Sequence, residues 1–139
     1  MREPTAARPR PRDIALLCVV AWAVPGAAHL WLRQSFKGIV FLVVLPLMFV
    51  IGIALQGRLF PFEPASPLVA LAFLAELSIG VPFLIAEALK LGAGQVTAAA
   101  FEYANAFLIV SGLLNLLVML DAYDVALGRK SRNPPGEPR

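Results

Sequence analysis

Pro25-Gly26-Ala27-Ala28-His29-Leu30-Trp31-Leu32-Arg33-Gln34-Ser35-Phe36-Lys37-Gly38 closes one apolar run and opens the next. Its reading therefore decides where the membrane-embedded segments of this chain lie. Proline removes an amide donor and glycine loosens the turn, so a helix arriving from the N-terminal side kinks or ends at 25–26. The stretch also holds the chain's one histidine, beside Trp31, Arg33 and Lys37.

Outward from this joint the chain is almost all apolar. Residues 14–32, 38–57, 64–75 and 103–120 contain no Asp, Glu, Lys or Arg. Only 15% of the 139 residues are charged, against about a quarter in a soluble domain. Apolar runs of roughly 18 or more residues match the ~30 Å hydrocarbon core at 1.5 Å per helical residue. The expectation is an all-α integral membrane bundle of four transmembrane helices, at about 14–32, 38–55, 67–89 and 96–121. The domain division is a disordered basic tail over 1–13, a transmembrane domain over 14–127 and a second disordered basic tail over 128–139. Gly128 suits the C′ position of the last helix.

Two alternatives attach to the first run. Gly26-x-Ala28 has the small-residue pattern of a signal-peptidase site, which would cleave before His29. Pro25-Gly26 could instead turn the run into a re-entrant hairpin. A further hint lies at an offset of 57 residues, which aligns Val24-Pro25 with Val81-Pro82 and Leu32-Arg33 with Leu89-Lys90. It suggests two related helical hairpins, although the rest of that alignment is poor.

The net charge of +3 does not mark a nucleic-acid binder. Eight of the cations sit in the two tails, which lack the aromatic platform of a single-strand binder. Four spans place both tails and Arg58 on one side, nine cations in all, and Arg33, Lys37 and Lys90 on the other. The positive-inside rule then puts both termini in the cytoplasm. Cys18 is the single cysteine, which leaves redox compartment unread.

The joint resembles the one carried by small bacterial multi-pass membrane proteins of unknown function, P-G-x-G-H-x-[YW]-L-G-R-x-x-K-G. It is in turn similar to the turn of the two-helix transmembrane domain. Pro25, Gly26, His29, Trp31, Leu32, Lys37 and Gly38 carry the match, and a second resembling stretch runs from Glu102 through Asn115 to Lys130. Ala28 and Arg33 stand where that pattern has glycine, which puts any glycine-dependent turn in question. The resemblance implies a bacterial inner membrane and an architecture, but no reaction.

Ionisable groups at bilayer depth cost roughly 2.5–3.5 kcal/mol on insertion scales, so each needs a partner or a purpose. Glu76 sits near the centre of the third run and Glu87 three helical turns on, with Ala72, Gly80 and Phe83 on the same face. Its ordinary explanation is a hydrogen bond to Asn115 or Ser111; the sharper one is a proton or cation path. Glu87 has Lys90 at i+3, a pairing distance on a helix. His29, Glu87, Lys90 and Glu102 are expected to converge at the outer mouth of the bundle. Asp121 and Asp124, one turn apart, read as an interfacial charge cluster, or as a water-mediated Mg²⁺ site of a lipid-modifying enzyme.

No nucleophile elbow, paired-histidine motif or phosphate loop is present in the sequence. The expectation is therefore no enzyme, no cofactor and no metal. The favoured function is structural or accessory, with the lipid bilayer and either a homo-oligomer or a membrane-protein partner as its surroundings. The alternatives are an oligomeric proton- or ion-coupled transport element using Glu76, and a lipid-modifying enzyme using Asp121 and Asp124.

Overall fold

Where the apolar runs predict four spans, the described residues form six helices: α1 (Pro11–Ala23), α2 (Ala27–Trp31), α3 (Ser35–Ala54), α4 (Pro67–Leu77), α5 (Val81–Ala88) and α6 (Phe101–Ala126). The computed structural model describes residues 10–129. Most of both expected basic tails lies outside the described residues, but 11–13 are helical rather than disordered. Pro11 opens α1 at a first-turn position where its missing amide costs nothing.

Only α3 and α6 are each long and apolar enough to cross a membrane. α6 is the ruler for everything else. Ala104, Leu108, Ser111, Asn115, Val118, Ala122 and Val125 are buried along it. Their alternating steps of four and three residues keep a stripe on one side of a helix. α3 runs antiparallel to this stripe: Lys37 lies by Asp121 near the end of α6, and Gly52 lies against Leu108 and Ala104 near its start. We call the two ends the tail face and the loop face.

The first and third runs each break partway and fold back beside the long helices. α1 starts at the tail face, packs Leu17 and Ala21 with Ala122, and ends where the Ala21 and Trp22 carbonyls meet Asn115, halfway along α6. The chain then turns through extended Val24 and left-handed Gly26 (φ 81°), and α2 carries His29 back to Asp121. A side chain at 26 would overlap the Gly38 carbonyl of α3, so glycine is required there for both conformation and space.

α4 and α5 repeat this from the loop face. α4 lies along Ile109 and Leu113, passes Gly112 with its Ala75 carbonyl, and stops where the Ser78 carbonyl meets Asn115. The chain bends by 110°, and α5 descends beside α3 from Pro46 to Ile53. It reaches the loop face, where Leu59 N–H bonds the Gly92 carbonyl. The expected single face shared by Glu76 and Glu87 is broken by that bend. Residues 96–100 form turns, so the last helix begins at 101 rather than 96.

Two helical hairpins thus fold back from opposite ends of α6, each followed in the chain by a helix long and apolar enough to cross a membrane. At two positions aligned by the offset of 57, Arg33 (φ 60°) and Lys90 (φ 54°) both adopt the left-handed conformation, as Gln56 (φ 66°) does after α3, so the shared turn is a common helix ending here rather than a mark of a repeat. At each, the next two amides bond back in the same pattern, Arg33 and Gln34 to Leu30 and His29, and Lys90 and Leu91 to Glu87 and Ala86. This is the Schellman motif. Gly128 closes α6 in the same way, as expected. The turn that lacks its glycine at 33 therefore still forms, with an arginine bearing a strain of about 1–2 kcal/mol.

Candidate functional site

A helix that stops among apolar side chains, away from water, leaves carbonyls with no helical partner. α1 and α4 both stop at the level of Asn115, and α6 supplies the remedy. The Asn115 Nδ2 amide, fully buried, donates to Ser78 O at 2.7 Å, Trp22 O at 3.3 Å and Ala21 O at 3.4 Å. It bonds the ends of α4 and α1 together. Trp22 Nε1 crosses the same seam to donate to Leu77 O at 3.0 Å, and Ser78 Oγ donates to Leu74 O at 2.8 Å. Close approach is allowed by Gly112 and Gly80, where a Cβ would overlap the Ala75 and Trp22 carbonyls respectively.

Glu76 faces this interior and is fully buried, but its partner is neither Asn115 nor Ser111. Its Oε2 accepts the Phe60 amide at 2.9 Å, which pins the connector after α3 into the loop face. Ser111 Oγ instead donates to Leu108 O of its own helix at 2.7 Å. Glu76 Oε1 and Asn115 Oδ1 are buried with no hydrogen-bond partner among the described residues. The connector is further fixed by Arg58 N–H to Asn105 Oδ1 at 2.8 Å and by Gln95 N–H to Gln56 O at 3.1 Å.

The second polar cluster lies at the tail face. His29, fully buried, donates from Nε2 to Asp121 Oδ2 at 3.0 Å, since a carboxylate only accepts. Its ring stands edge-on to Phe41 with centroids 5.3 Å apart, and Lys37 Nζ is 3.8 Å from the same Asp121 oxygen. Asp124 turns elsewhere, to Arg129 at 3.6 Å. The two carboxylates thus have separate partners. Among the described residues no group of three His, Cys, Asp or Glu side chains is placed to hold a metal ion.

The expected convergence of four residues at one mouth is corrected. Lys90, Glu87 and Glu102 belong to the loop face, but α2 returns His29 to the tail face, at the opposite end of α6. Glu87 and Lys90 are joined through the Lys90 amide and Glu87 carbonyl at 3.0 Å. No ion pair links their side chains among the described residues. Trp22, Ser78, Gly112 and the Phe60 amide complete the first cluster, and Phe41 the second, without having been singled out by sequence.

A family model described as a family of unknown function (DUF6677) matches residues 16–132. The chain belongs to that family. No curated protein and no solved structure matches it.

Proposed function

We propose that this member of the DUF6677 family is a small accessory protein of the bacterial inner membrane, working through its lateral surface rather than through an internal passage. One observation supports this above others. Asn115 joins the ends of α1 and α4, Glu76 pins the Phe60 amide, and none of Glu76, Asn115, Ser111 or His29 lines the three apolar grooves described between helices. Those grooves are walled almost wholly by apolar side chains and open sideways. The occupant of such a wall is lipid, a second copy or another membrane protein, and the reading requires no catalysis and no cofactor.

Both tails leave from the tail face in this reading. Among the described residues this leaves Arg10, Arg12, Arg33, Lys37 and Arg129 on the tail-face side and Arg58 and Lys90 on the loop-face side. The positive-inside rule then places the tail face in the cytoplasm.

Photo-crosslinking from lateral positions tests the accessory reading. Adducts of discrete mass from Leu71, Ile85 or Leu117, each exposed, support it. Lipid adducts alone from every position would defeat it.

A second reading rests on a specific observation. Oppositely inserted broken helices meeting at mid-depth are the architecture of many ion-coupled transporters, and Glu76 Oε1 is buried there without a partner. In sealed vesicles this reading requires a proton or cation flux that Glu76→Gln abolishes. The same variant should remain folded, because an amide oxygen still accepts the Phe60 N–H.

A further inference from the structure

Three helices end on the same left-handed turn, each made with a long polar side chain where glycine would fit without strain: Arg33 after α2, Gln56 after α3 and Lys90 after α5. Their backbones match, so what distinguishes them is their surroundings. Beside Arg33 stand Trp31, the last residue of α2, and Phe36, in the first turn of α3. Trp31 is 54% exposed, and Phe36, at 83%, is more exposed than any other large apolar side chain among the described residues. Arg33 is exposed as well, and its guanidinium has no ion pair or hydrogen bond among the described residues. Lys37 is engaged with Asp121, which His29 also holds, so Arg33 is the unpaired cation of this elbow.

The turn at Lys90 is dressed differently. Its exposed neighbours are the aliphatic Leu89 and Leu91, and Glu87 lies one turn before it. The balance of charge over each face follows the same division. Among the described residues five cations meet three acids, Asp13, Asp121 and Asp124, at the tail face, and two cations meet Glu63, Glu87 and Glu102 at the loop face. One face is net positive and the other net negative. Exposed aromatic rings flanking an unpaired guanidinium suit the boundary between acyl chains and headgroups, where the rings bury their apolar edges and the cation reaches outward.

We infer that the elbow over residues 31–36 is an interfacial anchor for anionic phospholipid. Trp31 and Phe36 enter the leaflet, and Arg33 takes the phosphate of a headgroup with net negative charge. The cation surplus of the tail face favours an anionic surface over a zwitterionic one, and the acid-flanked turn at Lys90 supplies no such preference. Only contact of the tail face with a leaflet is required, whatever partner the lateral surface carries.

The test uses the full-length chain in vesicles of equal dioleoyl phosphatidylcholine and dioleoyl phosphatidylglycerol, one or the other carrying brominated acyl chains that quench tryptophan on contact. The Trp31→Phe variant reports Trp22 alone, and subtraction leaves the Trp31 signal. Brominated phosphatidylglycerol should quench Trp31 about two- to fivefold more strongly than brominated phosphatidylcholine, the worth of one cation at an anionic surface. Arg33→Gln introduces a side chain that the same turn already accepts at Gln56, and should bring the two lipids close to equality. Arg33→Gly, which suits the turn better still, serves if the glutamine variant fails to fold. Lys90→Gln makes the same charge change at the other face and should leave the preference unaltered. Equal quenching by the two lipids, or a preference that survives loss of the Arg33 charge, would overturn the assignment. So would a preference lowered as much by Lys90→Gln, which assigns it to net charge, or a Trp31 that neither lipid quenches, which leaves the elbow to a protein partner.

Discussion

Replacing Asn115 by alanine tests the join between the hairpins directly. The amide donates to three carbonyls, at 2.7, 3.3 and 3.4 Å, and these belong to two different half-helices. Without it, Ser78 O loses a short, well-formed bond, and Ala21 O and Trp22 O lose weaker shared ones. A buried acceptor left unpaired costs about 1–3 kcal/mol. The short bond counts in full and the shared pair for about one more, which gives a loss of roughly 2–4 kcal/mol. Membrane hydrogen bonds average nearer 0.6 kcal/mol in cycles where the unfolded chain finds other partners. Half-helix ends at mid-depth have few such partners, which is why the larger figure applies. The assay is reversible unfolding of the full chain in mixed micelles, with helicity as the signal. Asn115→Asp should be at least as damaging, since it turns an acceptor toward three carbonyls. Ser111→Ala is the control, because its hydroxyl bonds only within α6, and its loss should stay near 0.5 kcal/mol. If Asn115→Ala and Ser111→Ala cost the same, the join carries no special load and the reasoning fails.

Gly112→Ala should destabilise by several kcal/mol in the same assay, because its Cβ would overlap the Ala75 backbone. Gly128→Ala, with open space around it, should cost about 1 kcal/mol, from its positive φ alone. In a Cys18→Ser background, a cysteine at Ser35 should react with an impermeant thiol reagent from the same side as a cysteine at Arg129. Four crossing spans require the opposite, so reaction from the other side would restore that topology. Arg33→Gly should raise stability by about 1 kcal/mol by relieving the left-handed arginine; a decrease would mean that the arginine side chain contributes more than its backbone costs.

The all-helical class, α3, α6 and the Gly128 cap were legible because each follows from an uncharged run or from a residue with one well-defined use. The fold-back of the first run at Pro25-Gly26 was legible only as an alternative, and that of the third run was not. A run that enters the hydrocarbon and returns is as apolar, and as long, as one that crosses. Residues 67–89 therefore look like a span on composition, and Ser78-Ile79-Gly80 holds no proline to announce a break. Misreading the first run as a crossing moved His29 to the wrong face. Burial of Glu76 was legible from its depth. Its partner was not, because a backbone amide such as that of Phe60 leaves no mark in side-chain identity.

The join at Asn115 also sets an order on synthesis. Ala21 and Ser78 precede Asn115 by 94 and 37 residues, so both elbows leave the ribosome before the amide that completes them exists. Neither hairpin can settle at mid-depth until α6 is threaded, since their end carbonyls would stay unpaired in hydrocarbon. The nascent chain must keep both hairpins at the membrane surface or within the insertion machinery until its last fifth arrives. Messages that end before α6 should therefore yield a product that is degraded rather than a smaller membrane protein.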